Sequence, residues 1–175
     1  MKLPVTIVII SLGAAIVCCG IYFWRTTRPP GAVEVLEFGI FRKIVSGGDV
    51  RVPDTISGIR HEVPRVVLLE STTNIPARIG TSFGFRVKVP AHLSEKNAAY
   101  TAQCIHPQLT DPSSGRSGEI EQWNTPGFAG NVGYVGYTLD HEWELVPGSW
   151  TIQLFAGSKL VAERTFRVYV KPSAY

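Results

Sequence analysis

The stretch PGSWTIQLFAGSKLVAERTFRVYV, residues 147–170, reads as a β-hairpin. Pro147-Gly148 suits the centre of a type II turn, because proline fixes φ and glycine accepts a positive one. Trp150, Ile152 and Leu154 then alternate with Thr151 and Gln153, the period-2 pattern of a strand with one buried face. Gly157-Ser158 is a two-residue hairpin turn, and the return strand carries Ala162, Phe166, Val168 and Val170 on one parity. Arg164 interrupts that face and is expected at its rim.

The same alternation recurs upstream. In Thr81–Val89, Phe83, Phe85, Val87 and Val89 share one face, and Gly84, Arg86 and Lys88 the other. Tyr100, Ala102 and Cys104 alternate with Thr101 and Gln103, and Val135, Tyr137 and Leu139 share a parity. Between Val33 and Phe41 the reading places Leu36, Phe38 and Ile40 together, with Ser46-Gly47-Gly48-Asp49 turning the chain afterwards; Arg65–Leu69 is a further short apolar run. No window after Gly31 repeats apolar residues at helical spacing for three turns. Short strands separated by Gly, Pro and Asp turns predict an all-β fold, an immunoglobulin-like antiparallel sandwich of two sheets spanning 32–171.

Residues 1–24 stand apart from that domain, joined to it by a linker at 25–31. Leu3–Trp24 contains no charge and predicts a transmembrane helix, since ~22 residues at ~1.5 Å each cover the hydrocarbon core. Tyr22, Phe23 and Trp24 followed by Arg25 and Arg28 resemble an interfacial belt, and Pro29-Pro30-Gly31 stops a helix. The apolar run continues through Cys18-Cys19-Gly20, which favours an uncleaved anchor over a signal peptide. The expected location is a bacterial inner membrane, single-pass, with the β domain on the periplasmic or extracellular side.

A formal charge of +3 and the lack of any Lys/Arg run argue against nucleic acid as a partner. Three cysteines, two of them in the apolar segment, give no disulfide framework, so Cys104 reads as a small buried apolar residue.

Motifs of chemistry are few. Gly80-Thr81-Ser82-Phe83-Gly84 matches the G-x-S-x-G expression, but that motif needs a strand-to-helix turn and here a strand follows. A serine hydrolase using Ser82 is therefore the disfavoured alternative. Asp140, Glu142 and Glu144 on a strand would share one face, either the solvated side of a sheet or a calcium site; the former is the ordinary reading. His61, His92 and His106 have no zinc-ligand spacing. No catalytic residue, metal or cofactor is assigned. The aromatic glycine-rich stretch 127–137, with Tyr134 and Tyr137, and the basic pair Arg78 and Arg86 are the candidate binding residues. The arginines could grip a carboxylate or phosphate, or pair with Glu70 or Glu144.

Two stretches, Ile75–Arg86 (IPARIGTSFGFR) and His141–Trp150 (HEWELVPGSW), resemble those of an uncharacterised bacterial family known only as a domain of unknown function. The resemblance runs from about Val33 to Val170. It implies a bacterial source and an exported or membrane-tethered β domain, and it carries no catalytic residues. The function expected is a non-enzymatic binding or interaction module of the cell envelope, with an envelope protein or small ligand as partner; a structural spacer is the competing class.

Overall fold

The hairpin forms in the expected register. Strand β10 (Gly148–Ala156) pairs antiparallel with β11 (Lys159–Tyr169), from Gly148 opposite Val168 to Ala156 opposite Lys159. Gly157, at φ +58°, makes the tight turn and Gly148, at φ +148°, opens the strand. Trp150, Ile152 and Leu154 are fully buried, and Ala162, Phe166 and Val168 on the partner strand are buried with them. Val170, expected on that face, is 60 % exposed because the strand ends at Tyr169. The Arg164 guanidinium lies 4.2 Å over the Phe38 ring, capping the margin of the face as a cation–π contact.

The computed structural model describes residues 33–44, 49–52, 54–57, 59–61, 65–90, 100–125, 128 and 132–170. The chain divides into Met1–Pro30 and Gly31–Tyr175, and all described residues belong to the second unit. The anchor expected at 1–24 and the turn at 46–48 lie outside the described residues. Among the described residues no helix is long and apolar enough to cross a membrane.

The architecture is an all-β sandwich of two sheets. One sheet has four strands, in the order β4 (Arg65–Glu70), β1 (Glu34–Ile44), β6 (Ser82–Lys88), β9 (Val132–Thr138). The other has five, in the order β5 (Asn74–Pro76), β11, β10, β7 (Tyr100–Thr110), β8 (Ser117–Thr125). A separate two-stranded piece pairs β2 (Asp49–Arg51) with β3 (Ile59–His61). Among the described residues all pairings are antiparallel except β5 with β11, where the chain leaving β4 crosses to the second sheet.

Two bulges correct the simple alternation. In β1 the register shifts between Val35 and Glu37, so Val35, Phe38 and Ile40 pack on the core while Leu36 is 44 % exposed. In β7 it shifts between Ile105 and Leu109, around Pro107, whose missing N–H is tolerated at a break in the ladder. Tyr100, Ala102, Cys104 and His106 point inward before the break and Leu109 after it. The centre of the sandwich is aromatic: Phe83 meets Trp150 edge-on at 5.9 Å and Phe166 at 5.3 Å, and Trp150 meets Tyr137 at 5.2 Å.

Candidate functional site

β8 and β9 are edge strands of opposite sheets, and the segment 54–57 closes the gap beside them. The Ile56 N–H donates to the Glu121 carboxylate at 2.6 Å, and Gln122 N–H reaches the Asp54 carbonyl at 3.5 Å. Thr55 turns the segment by donating its N–H and its hydroxyl to the Val52 carbonyl. A crevice of about 60 Å³ remains, lined by Lys43, Thr55, Glu121, Trp123, Tyr137 and Glu144. That volume admits a few waters; organic ligands occupy pockets of about 300 Å³ and more.

Glu144 dominates the crevice, and its position corrects the strand expected over 140–144. The chain there forms one turn of 3-10 helix, Glu142–Glu144, entered through an extended His141. The Glu144 side chain folds back and accepts the backbone N–H groups of Asp140 and His141, the reach of a capping box, so a local bond defeats the strand parity. Glu144 is thus buried while Asp140 and Glu142 stay in solvent, and the shared carboxylate face does not form. The Tyr137 hydroxyl also donates to Glu144, at 2.8 Å. Burial raises the Glu144 carboxyl above its ordinary value despite these bonds. Burial, then Glu121 and Glu144, pushes the Tyr137 phenol well up, which keeps it a donor.

Replacing Glu144 by alanine strands two backbone donors and a phenol, and is expected to cost about 3 kcal/mol. Glutamine, which keeps an acceptor oxygen, should cost less. Because the folded pKa lies above the unfolded value of 4.5, the wild type should lose stability as pH climbs from about 4.5 through the folded value. Urea unfolding across that range should show this component vanish in Glu144→Gln.

The four candidate binding residues are dispersed. Arg86 and Tyr134 are register partners on the outer face of the four-stranded sheet. Arg86 pairs with Glu37 at 3.0 Å, across β1, and not with Glu70 or Glu144. The Tyr134 hydroxyl donates to the Phe83 carbonyl, and its ring packs 4.9 Å from Phe41. Tyr137 points into the core, and Arg78 is exposed in the turn between β5 and β6. In the aromatic glycine-rich stretch, Phe128 is buried against Tyr100 at 4.9 Å and fills the space over Gly133. Ser82 begins β6, buried and hydrogen-bonded to the Thr138 hydroxyl. Cys104 is buried, and burial pushes its thiol up, with Glu121 adding to the shift.

One end of the sandwich gathers exposed groups that the strand reading missed. Gly80 N–H donates to the Leu139 carbonyl at 2.7 Å and Leu139 N–H to Thr81 at 3.0 Å, tying the turn 78–81 to the segment 139–146. Ala77 N–H donates to the Tyr169 carbonyl, which brings the end of β11 beside the same turn. The resulting ledge shows Arg78, Ile79 at 57 % exposure, and Val170. It also carries His141 stacked on Trp143, with rings 5.2 Å apart and 9° from parallel. The opposite end holds the Gly157-Ser158 hairpin and the start of β1, where the chain enters.

The family model described as Domain of unknown function (DUF3859) matches residues 31–168. Among solved structures, the chain is similar to an immunoglobulin-like protein from Pseudomonas aeruginosa, with a TM-score of 0.57 and 23 % identity. The match covers 81 % of this chain and all of that one. The likeness is one of fold. No curated protein matches the chain.

Proposed function

Because the chain belongs to the DUF3859 family of domains of unknown function, we propose from its own residues that it is a non-enzymatic binding module. In this reading residues 3–24 tether it to the bacterial inner membrane, and the β domain lies on the periplasmic or extracellular side. The observation that carries the binding role is the ledge: Arg78, Ile79 and the His141–Trp143 stack, held together by the Gly80–Leu139 bonds. Loops fixed on a rigid sandwich commonly carry recognition, and this ledge offers a cation, an aliphatic group and an aromatic pair. Against use of Ser82 as a nucleophile stands its burial and its hydrogen bond to Thr138 at the head of a strand.

The test is a pull-down with the full-length chain from its native envelope, run beside the Arg78→Ala, Ile79→Asp double variant. Both substitutions are in exposed positions and should leave the fold intact. A specific partner recovered by the wild type should be lost, at least tenfold, in the variant. Recovery undiminished by the double substitution would remove the ledge from the proposal, and no specific partner at all would favour a spacer. Fluorophosphonate labelling that disappears in Ser82→Ala would overturn the non-enzymatic reading.

A further inference from the structure

Taking the ledge as the recognition surface, on which this inference rests, we propose that it takes a phosphate ester, held by Arg78 together with Arg42 and Arg65. The two added arginines stand on a ribbon of β1 and β4 that outruns the sandwich. The last pair of β1 with β6 is Phe41 opposite Ser82, while β1 continues to Ile44, opposite Arg65 of β4. Ile40 packs on the core, so Arg42 and Ile44 carry its face on past the last β6 pair. Val67 and Arg65 stand opposite these two, on the same face. That face is open here: Arg42 and Arg65 are exposed, and Ile44 is 42 % exposed.

The turn below the ribbon supplies the third cation. Thr81 N–H donates to the Arg78 carbonyl at 3.1 Å and Gly80 has φ +83°, which makes 78–81 a type II turn. The turn carries the chain from β5 in one sheet to β6 in the other, and so crosses the end of the sandwich that the ribbon's face overlooks. Arg42, one step past the Phe41–Ser82 pair, comes level with Thr81, about 5 Å away at the ordinary strand spacing. Arg78 stands less than about 7 Å from Thr81 across the turn. Arg42 and Arg65 are diagonal neighbours on adjacent strands, roughly 7–8 Å apart. Three guanidinium groups on long side chains can therefore meet at one point.

Charge names the occupant. Among the described residues none of the three arginines forms an ion pair. Glu70, opposite Ile40, pairs with none of them, and Asp140 and Glu142 lie on the β9 side of the turn. Like charges on neighbouring strands cost stability until an anion joins them. One guanidinium fork can occupy both oxygens of a carboxylate, whereas a phosphate group offers three acceptor oxygens and suits several arginines at once. Ile44 and Ile79, both exposed, suit the carbon side of an ester. A lipid headgroup and a soluble phosphate ester share this chemistry.

Isothermal titration of the full-length chain in phosphatidylcholine nanodiscs, with glycerol 3-phosphate and dihexanoyl phosphatidic acid as probes, tests the site. Saturable binding is expected, weakened at least about tenfold by Arg42→Ala with Arg65→Ala. Lys159→Ala with Arg167→Ala removes two exposed cations of β11 and should leave the affinity unchanged. Tighter binding of the phosphatidic acid would assign a lipid headgroup and equal binding a soluble ester, and either upholds the phosphate site. Saturation by neither probe, or equal weakening by the two double variants, would overturn it. The pull-down separates this failure from that of the ledge: a partner lost in Arg78→Ala, Ile79→Asp but kept in Arg42→Ala, Arg65→Ala would spare the ledge and overturn the three-arginine site.

Discussion

Gly84→Ala is expected to leave little folded domain. Gly39, Gly84 and Gly136 lie in one register row across β1, β6 and β9. A β-carbon on Gly84 would stand 2.2 Å from the Val135 carbonyl oxygen and 2.5 Å from the Gly136 α-carbon. Both contacts are backbone of the neighbouring strand, so no side-chain rotation relieves them. β9 would have to move, and it carries Val135, Tyr137 and Leu139 into the core. Displacing a core strand belongs with the severe mechanisms, on the order of 4 kcal/mol or more, against about 5–15 kcal/mol for a whole domain. Gly118→Ala is the control: its nearest neighbours are 3.9 Å away, and the substitution should cost under about 1 kcal/mol. Urea denaturation followed by circular dichroism compares the two; equal midpoints would contradict the strand spacing.

Trp150→Ala should cost about 3–5 kcal/mol, the range for emptying a large aromatic site in a core. Trp150 is fully buried, meets Phe83, Tyr137 and His106 (the last at 5.0 Å), and donates its indole N–H to the Val146 carbonyl. Its loss opens a cavity beneath the Tyr137–Glu144 hydrogen bond and leaves the Val146 carbonyl without this donor. Trp150→Phe keeps most of the ring volume and should cost roughly half as much. Thermal unfolding read by far-ultraviolet circular dichroism checks both without relying on the indole as reporter.

These expectations rest on residues of differing legibility in the sequence. Phe83 to Val89, Tyr100 to Cys104 and the Trp150–Val168 hairpin announce themselves, because strict alternation over several residues has one structural meaning when one face is buried. Leu36 does not, since a bulge adds a residue that no local pattern marks and flips the parity on one side of it. The segment 140–144 failed for a different reason. Glu144 bonds the backbone four and three residues upstream, and such a short-range competitor is invisible to a count of alternating positions. A glutamate three residues after a polar position was the signal available there, as the reach of a capping box.

The candidate site was less legible still. Arg86 and Glu37 are 49 residues apart, and only strand pairing makes them neighbours. His106 and Glu121 are buried polar groups whose burial depends on the bulge at Pro107 and on the segment 54–57. The ledge of Arg78, Ile79, His141 and Trp143 joins two loops through backbone bonds, which side-chain identity does not encode. Tyr134 and Tyr137, read together as an aromatic loop, sit three residues apart on one strand and so point to opposite faces.

Recognition at this ledge can be trapped by placing a photoreactive amino acid at Ile79 in the full-length chain in its native membrane. The same probe at Ser158, in the hairpin at the opposite end, is the comparison. An adduct of defined mass is expected from position 79 and none from position 158. Adducts of equal yield from both positions, or from position 158 alone, would contradict it.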